Sequence, residues 1–265
     1  MAPAIVALLA AAVLSTAGAD PPFVTSEPNG GWSVAGYYVH NNMWNSARYS
    51  PCTQTLCAWS FDRWQVVATM NNKTGDGAVK TYPNVHKDYR SVPVTSFDKL
   101  TSAFAATSPR VGIYNVAYDI WLNGIARPGC TEIMIWTENF HQVPGGRHIQ
   151  NVTFGPHTYR VFRNPASGYI AFVTTTNFAS GTLNLLEFIQ WSIAKGWLST
   201  NSTLHQICFG VEMVSTDDTP ATFQVTAFSI DATPEPQAAG SMPVNRPPAL
   251  PSSTNLQHHK SQTAR

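Results

Sequence analysis

Charged residues are scarce in this sequence. Lys, Arg, Asp and Glu make up 12% of its 265 residues, and the net charge is +1, whereas soluble domains typically carry roughly 25% charged residues. Nucleic acids and anionic membranes attract proteins through clusters of positive charge, so the composition supports neither partner. The eight Trp, nine Tyr and thirteen Phe favour a neutral partner that stacks on aromatic faces, as sugars do.

The motifs of several common enzyme classes are also missing. The sequence has no G-x-S-x-G nucleophile elbow, no Walker loop and no G-x-G-x-x-G fingerprint. Its eight His are scattered, and no Cys/His cluster has the tight spacing of a zinc site. We therefore expect neither a cofactor nor a metal.

Cysteine is rare, with four residues in the chain. Cys52 and Cys57 bracket the short segment CTQTLC, which we interpret as a loop, so these two are predicted to form a disulfide in an oxidising compartment. Cys130 and Cys208 are expected to stay unpaired, because their strands need not be adjacent.

The N-terminus has the pattern of a secretion signal. Ala4 to Val13 is an apolar run with the length of an h-region, and Ala17-Gly18-Ala19 is a small-x-small cleavage site. The run is too short to span a bilayer, which argues against a membrane anchor. We expect residues 1–19 to be a signal peptide and the protein to be secreted, with no membrane partner.

Short apolar segments alternate with turn-forming clusters over most of the remaining chain, as in a sandwich or barrel. One segment, Leu183 to Lys195, has apolar residues at helical spacing and is followed by Gly196. From residue 232 onward the chain is Pro-rich and lacks periodicity, which predicts a disordered tail over 232–265 and a single domain over 20–231. The predicted strands are residues 32–41, 59–70, 112–122, 131–137, 149–154, 158–163, 169–176, 204–214 and 222–230.

Strand parity places acidic residues on one face of the predicted sheet. In TEIMIW, Glu132, Met134 and Trp136 share a face, while Ile133 and Ile135 point to the core. Because a carboxylate within an apolar strand is costly unless it is paired or hydrogen-bonded, this face is a candidate site.

Two further strands carry acids in the same way. In AYDIWL, Asp119 and Trp121 share a face, and Glu212 lies in the middle of ICFGVEMV. The alternative is the solvated outer face of a sandwich. Three acids that each share a face with Trp or Met favour glycoside hydrolysis, in which one acid protonates the leaving oxygen and another attacks the sugar or activates water.

Six motifs in order resemble glycoside hydrolase family 12, a family of endoglucanases and xyloglucanases. They extend over about residues 30–231, and no single one would suffice. The motifs are NNMWN (41–45), AVKTYPN (78–84), AYDIWL (117–122), TEIMIW (131–136), VPGG (143–146) and FGVEM (209–213).

The resemblance implies an all-β fold, a β-jelly-roll sandwich of two curved antiparallel sheets with a cleft across one face and one α-helix packed on the convex side. It also implies hydrolysis with retention of the anomeric configuration. By motif match, Glu132 resembles the nucleophile and Glu212 the acid/base, and Asp119 matches the acid that neighbours the nucleophile.

The same match implies a set of substrate-binding residues. Trp44 resembles an aromatic platform with Asn42 beside it, although Trp44 could instead be a core residue. Met134 matches the cleft position next to the nucleophile, and Pro144 and Gly146 match a loop that bridges the cleft. Strand parity adds Trp121 and Trp136 to the set.

Three functional hypotheses remain after this step. A secreted endo-β-1,4-glucanase acting on cellulose-type β-glucans is favoured, with a xyloglucan-specific enzyme as the alternative. A non-catalytic carbohydrate-binding jelly roll or a structural β domain would not need the paired acids Glu132 and Glu212. We expect a monomer whose partner is the polysaccharide substrate.

Overall fold

Residues 20–233 are described by a computed structural model, so the predicted signal at 1–19 and residues 234–265 lie outside the described range. Within it the chain forms fifteen strands and one α-helix. The elements are β1 (Phe23–Thr25), β2 (Gly31–Val34), β3 (Tyr37–His40), β4 (Cys52–Ser60), β5 (Arg63–Met70), β6 (Asn84–Pro93), β7 (Lys99–Thr107), β8 (Ile113–Leu122), β9 (Thr131–Phe140), β10 (Arg147–Phe154), β11 (His157–Asn164), β12 (Tyr169–Thr174), β13 (Ser180–Asn184), α1 (Leu185–Ala194), β14 (Thr203–Ser215) and β15 (Ala221–Thr233).

The strands form two sheets that pack as a β-jelly-roll sandwich. A six-stranded sheet has the order β1-β4-β5-β15-β7-β13, and a nine-stranded sheet has the order β10-β11-β12-β9-β8-β14-β6-β3-β2. The predicted fold class is therefore confirmed. The last strand extends to Thr233, so two residues assigned to the tail by the sequence belong to β15.

The core between the sheets follows from alternation along each strand. On β8 the side chains of Tyr118, Ile120 and Leu122 are completely buried in the main apolar cluster, and on β9 Ile133 and Ile135 join them. Their neighbours along each strand must point to the other side of the nine-stranded sheet, which we call the outer face. Core burial thus determines which residues the outer face carries.

One strand pair departs from the predicted antiparallel arrangement. Among the described residues every pair of named strands is antiparallel except β12 with β9, which is parallel. Since β10 and β11 form antiparallel hairpins outward from β12, β10 runs in the same direction as β9. The connection between the end of β9 and the start of β10, residues 141–146, must therefore run back along the sheet, and we call it the crossing segment.

The helix lies on the core side of the nine-stranded sheet, as predicted for its convex side. Phe188 of α1 packs against Phe154, Tyr159 and Phe172, at ring-centroid distances of 4.4, 5.3 and 5.0 Å. Gly196 follows the helix with a positive φ of 69°, which suits glycine in a helix C-terminal turn. Within residues 20–233 no helix is long and apolar enough to cross a membrane.

The predicted disulfide between Cys52 and Cys57 is wrong. The segment CTQTLC is part of β4 rather than a loop, and all four cysteines are free thiols. Five residues of strand separate two Cα atoms by roughly 16 Å, and an odd spacing points the side chains to opposite faces. A disulfide requires Cα atoms within about 7 Å. Cys130 and Cys208 are also unpaired, as predicted.

We expect the folded protein to contain four free thiols. Alkylation of the unfolded chain without a reductant, followed by intact mass measurement, should add four labels per chain, because the strand geometry keeps Cys52 and Cys57 apart. The same chain treated first with a reductant is the control and should give an identical mass. Only two labels without reductant would contradict the register of β4.

Candidate active site

Three adjacent strands place the predicted acids on the outer face. Asp119 lies on β8, Glu132 on β9 and Glu212 on β14, and their residues are 6%, 9% and 5% exposed. The central strand, β8, gives the relative positions of the three acids along the sheet. Glu132 is opposite Trp121 of β8, and Glu212 is opposite Asn115. Acids that face away from the core are thus nevertheless shielded from solvent.

Two buried tyrosines interact with all three acids. Their rows on β8 are six residues apart, which in a flat sheet would be roughly 20 Å. Yet the phenols of Tyr82 and Tyr169 both lie within electrostatic reach of Asp119, Glu132 and Glu212. The two phenols therefore connect the three acids into one electrostatic cluster on the outer face.

Both tyrosines remain protonated in this environment. Burial raises the pKa of Tyr82 and of Tyr169 well above the usual value, and the negative acids nearby raise each pKa further. The hydroxyl of Tyr82 donates to the carbonyl of Ala117, at 3.0 Å, between the acid positions on β8. The phenols thus add polar O–H groups to the cluster without adding negative charge.

The position of Tyr82 depends on a glycine in the FGVEM motif. The segment before β6 lies along β14, where the amides of Val211 and Met213 donate to the carbonyls of Pro83 and Thr81. A Cβ on Gly210 would lie 2.1 Å from the Pro83 carbonyl oxygen. Glycine is therefore required for this close approach of the two backbones.

Two buried amides bind the carboxyl group of Glu212. Asn115 Nδ2 donates to Glu212 Oε2 at 2.7 Å, and Gln142 Nε2 donates to the same oxygen at 3.2 Å. Asn115 is completely buried and Gln142 is 7% exposed. Gln142 comes from the crossing segment, so this segment reaches the acid cluster.

The crossing segment is held against the neighbouring strands beyond Gln142. Gly145 lies beside Tyr169, where an added Cβ would be 3.5 Å from the ring, and its backbone hydrogen-bonds to the Tyr169 side chain. Gly146 has a φ of 79°, and a Cβ there would lie 2.4 Å from the Arg163 carbonyl group. Only glycine fits this position, so Gly146 fixes the segment against β11.

Four of the other predicted binding residues are half-buried. Trp44, Asn42, Trp121 and Pro144 are each partly exposed and so offer part of their side chains to solvent. The segment that carries Asn42 and Trp44 lies beside the acid cluster, because the Asn42 carbonyl accepts a hydrogen bond from the amide of Tyr82.

Met134 and Trp136 do not fit the predicted role of direct substrate contacts. Each is 1% exposed, and both belong to a second apolar cluster that includes Ala117, Phe162 and Tyr169. Trp136 Nε1 donates to the Met134 sulfur at 3.5 Å. Strand parity correctly placed them on the outer face, but the residues packed above them leave no exposed ring for stacking.

The acid cluster also includes a thiol. Cys208 is opposite Asp119 on the adjacent strand, and burial, followed by the charges of Asp119, Asp88 and Glu132, raises its pKa well above the usual value. Cys208 is therefore kept in the protonated thiol form, which is a poor nucleophile. Among residues 20–233 no group of three His, Cys, Asp or Glu side chains is arranged to hold a metal ion.

Sequence reasoning missed four residues of this site: Asn115, Tyr82, Tyr169 and Gln142. Strand parity could have identified Asn115, because it lies on the same face of β8 as Ala117 and Asp119. Tyr82 lies within the AVKTYPN motif but was assigned no role. No sequence signal identifies Gln142, because its contact depends on the path of the crossing segment.

A sandwich with clustered acids on one sheet is the arrangement expected of a glycoside hydrolase, and comparison with known families identifies the class. The family model described as "Glycosyl hydrolase family 12" matches residues 35–233. The chain belongs to this family, as its motifs indicated.

Characterised relatives are distant. The chain is 24% identical over 226 residues to Endoglucanase S of Pectobacterium parmentieri, covering 74% of this chain and 81% of the relative. It is 26% identical over 238 residues to xyloglucan-specific endo-beta-1,4-glucanase A of Emericella nidulans, covering 84% and 98%.

Solved structures share the fold. The xyloglucanase domain of NopAA, a type three effector from Sinorhizobium fredii solved with cellobiose, superposes with a TM-score of 0.70 at 27% identity, covering 80% of this chain and 99% of that one. The catalytic domain of Humicola grisea Cel12A has a TM-score of 0.72 at 19% identity, with 79% and 99% coverage.

Replacing Trp136 should weaken folding. Trp136→Ala removes a completely buried ring from the second apolar cluster, and cavities of this kind cost about 3–5 kcal/mol of unfolding free energy. Denaturant unfolding measures this cost. Trp44→Ala, at a half-buried position, is the matched control and should cost clearly less. Equal stability of wild type and Trp136→Ala would contradict the packing of this ring.

Proposed function

We propose that this chain is a secreted, retaining endo-β-1,4-glucanase that hydrolyses internal bonds of cellulose-type β-glucans by double displacement. The observation that carries the proposal is the cluster of three buried acids on adjacent strands of the outer face. Family membership supports glycoside hydrolysis, and the predicted signal at 1–19 is the basis for export.

In the first step of the proposed mechanism, the carboxylate of Glu132 attacks the anomeric carbon. Glu212 donates its proton to the glycosidic oxygen as that bond breaks, which leaves a covalent glycosyl-enzyme. In the second step, Glu212 accepts a proton from water, and the water oxygen displaces Glu132 from the anomeric carbon. Two inversions at this carbon give net retention.

Asp119 is proposed to assist the nucleophile. It lies diagonally across from Glu132 on the adjacent strand, since its direct partner is Met134. Two like charges this close disfavour each other, so a proton shared between the two carboxyl groups would lower the repulsion. The protonated phenol of Tyr169, opposite Glu132 on β12, supplies a further polar group beside them.

Substrate binding is assigned to residues of the cleft side that flank the acids. Trp44 is proposed as a stacking platform for a sugar ring, with Asn42 beside it. Trp121 adds a second aromatic surface next to Glu132. Pro144 and Gly146 of the crossing segment would border the glucan on the other side, and a monomer suffices for all of these contacts.

A xyloglucan-specific activity is the second candidate. It is supported by the similarity to the xyloglucan-specific enzyme of Emericella nidulans and to the xyloglucanase domain from Sinorhizobium fredii. Both activities cleave a β-1,4-glucan backbone, so the two candidates share the catalytic proposal and differ in tolerance for xylose side chains.

Removing either catalytic carboxylate should abolish turnover for different reasons. Glu132→Ala should lower the rate on the order of 10⁴-fold, with the fold retained. Glu212→Ala should also be severely impaired on polysaccharide, but azide should partly restore its rate on an aryl glycoside, because azide attacks the glycosyl-enzyme without a general base. Rates with and without azide measure both effects.

The control for these variants is Glu138→Gln, at another acid of β9. Its carboxyl group is bound by Ser108 and by Tyr114, away from the proposed reaction, so turnover per folded molecule should remain. Proton NMR of the first products should show the retained anomer. Inverted products, or near-normal rates for Glu132→Ala, would refute the roles proposed for the two glutamates.

A substrate panel should separate the two candidates. We expect the protein to release oligosaccharides from amorphous cellulose and mixed-linkage β-glucan, with internal cleavage detected by a rapid fall in viscosity. Xyloglucan is assayed at the same backbone concentration. A preference of more than about tenfold in kcat/KM for xyloglucan would replace the first candidate with the second, and no cleavage of any of the three would refute both.

A further inference from the structure

Glu212 is bound by two side-chain amides that have no other side-chain hydrogen bond among the described residues. The side chains of Asn115 and Gln142 each donate to Glu212 Oε2. Their amide oxygens, Asn115 Oδ1 and Gln142 Oε1, are buried and have no partner within residues 20–233. Buried amides normally have hydrogen-bond partners at both the nitrogen and the oxygen. In Asn115 and Gln142 only the nitrogen is bonded, and in both residues its partner is Glu212.

The backbone of Gln142 is fixed by a neighbouring asparagine. Asn139 Nδ2 donates to the Gln142 carbonyl oxygen, and the Gln142 amide donates to Asn139 Oδ1, both at 3.0 Å. Asn177 in turn bonds the backbone of Asn139 through its own amide group. The side chain of Gln142 is thus directed at Glu212 from an anchored position in the crossing segment.

We infer that Gln142 is a positioning residue that orients the Glu212 carboxyl group, so that the crossing segment takes part in the acid/base step. The inference rests on the proposed function of Glu212 as acid/base. Two N–H donors on one carboxylate oxygen favour the charged form over the protonated one. The first step requires the protonated form, so removing one of these donors should change the pH dependence of the reaction as well as its rate.

Several titratable groups face the same cluster. They are Asp119 on β8, Glu132 on β9, Tyr169 on β12, Cys208 on β14 itself, Tyr82 in the segment before β6, and His86 on β6 opposite Cys208. His141, at the start of the crossing segment, is exposed and packs on the Phe140 ring. None of them changes when Gln142 is replaced by a neutral residue. A shift between wild type and such a variant therefore reports the Gln142 amide.

The test uses Gln142→Met, which keeps the length of the side chain and removes the donor. The basic limb of the kcat/KM profile, which reports the free enzyme, should move upward by about one pH unit, the size expected for one charge-assisted hydrogen bond. Gln142→Glu places a like charge beside Glu212 and should move the limb at least as far. A uniform loss of rate with an unmoved limb in both variants would overturn the inference.

Val143→Ala is the matched control. Val143 is the next residue of the crossing segment and is 79% exposed, so its replacement should leave both limbs in place even if the rate changes. A shift in this control equal to that of Gln142→Met would assign the effect to the segment as a whole and overturn the role of the amide. Thermal melts confirm that each variant is folded.

A second readout does not depend on turnover. Carbon-13 NMR of glutamate-labelled protein, with the Glu212 signal assigned through Glu212→Gln, follows the titration of this carboxyl group directly. The midpoint should rise in Gln142→Met. An unchanged midpoint in an active enzyme would overturn the inference and leave the proposed function intact, whereas a wild type that cleaves no β-glucan would refute the function itself.

Discussion

The site depends on holding three carboxyl groups together in a shielded region. Burial and mutual repulsion both disfavour ionisation of such groups, and the structure offsets this with neutral donors. Amides from β8 and the crossing segment bind Glu212, and two protonated tyrosines lie beside all three acids. Stabilising acids with uncharged amide and phenol groups agrees with the low content of charged residues in the whole sequence.

Sheet curvature is what makes the cluster possible. The register of β8 with its two neighbours separates Glu132 from Glu212 by six residues along the strand, and only a concave face brings such rows together. Sheets twist and coil as they pack on a core, and small residues on the inside of the curve favour that closure. Gly210 and Ala117, both on the outer face between the acid rows, leave the space that it needs.

Much of the fold and the site could be predicted from particular residues. Alternation in TEIMIW and AYDIWL correctly separated the core side chains from the acids, and the helical period over Leu185–Ala194 was clear. β4 was misread because its first residues, Thr53 to Cys57, have the composition of a loop, and Gln54 is a buried polar residue at a core-facing position. β6 was missed because it carries Lys87, Asp88 and Arg90, although its register is set by pairing with β14. Contacts such as that of Gln142 follow from tertiary topology, and local patterns do not contain them.

The single parallel pair of the nine-stranded sheet has a consequence for heat inactivation. Because β10 begins at the same end of the sheet as β9, the crossing segment runs back over the sheet and is not part of a strand ladder. It is held instead by contacts with Asn139, Tyr169 and Arg163. Segments of this kind open locally at a lower free energy than the strands around them. On warming, activity would then decline with the release of residues 141–146, while the sandwich beneath still keeps its native circular dichroism.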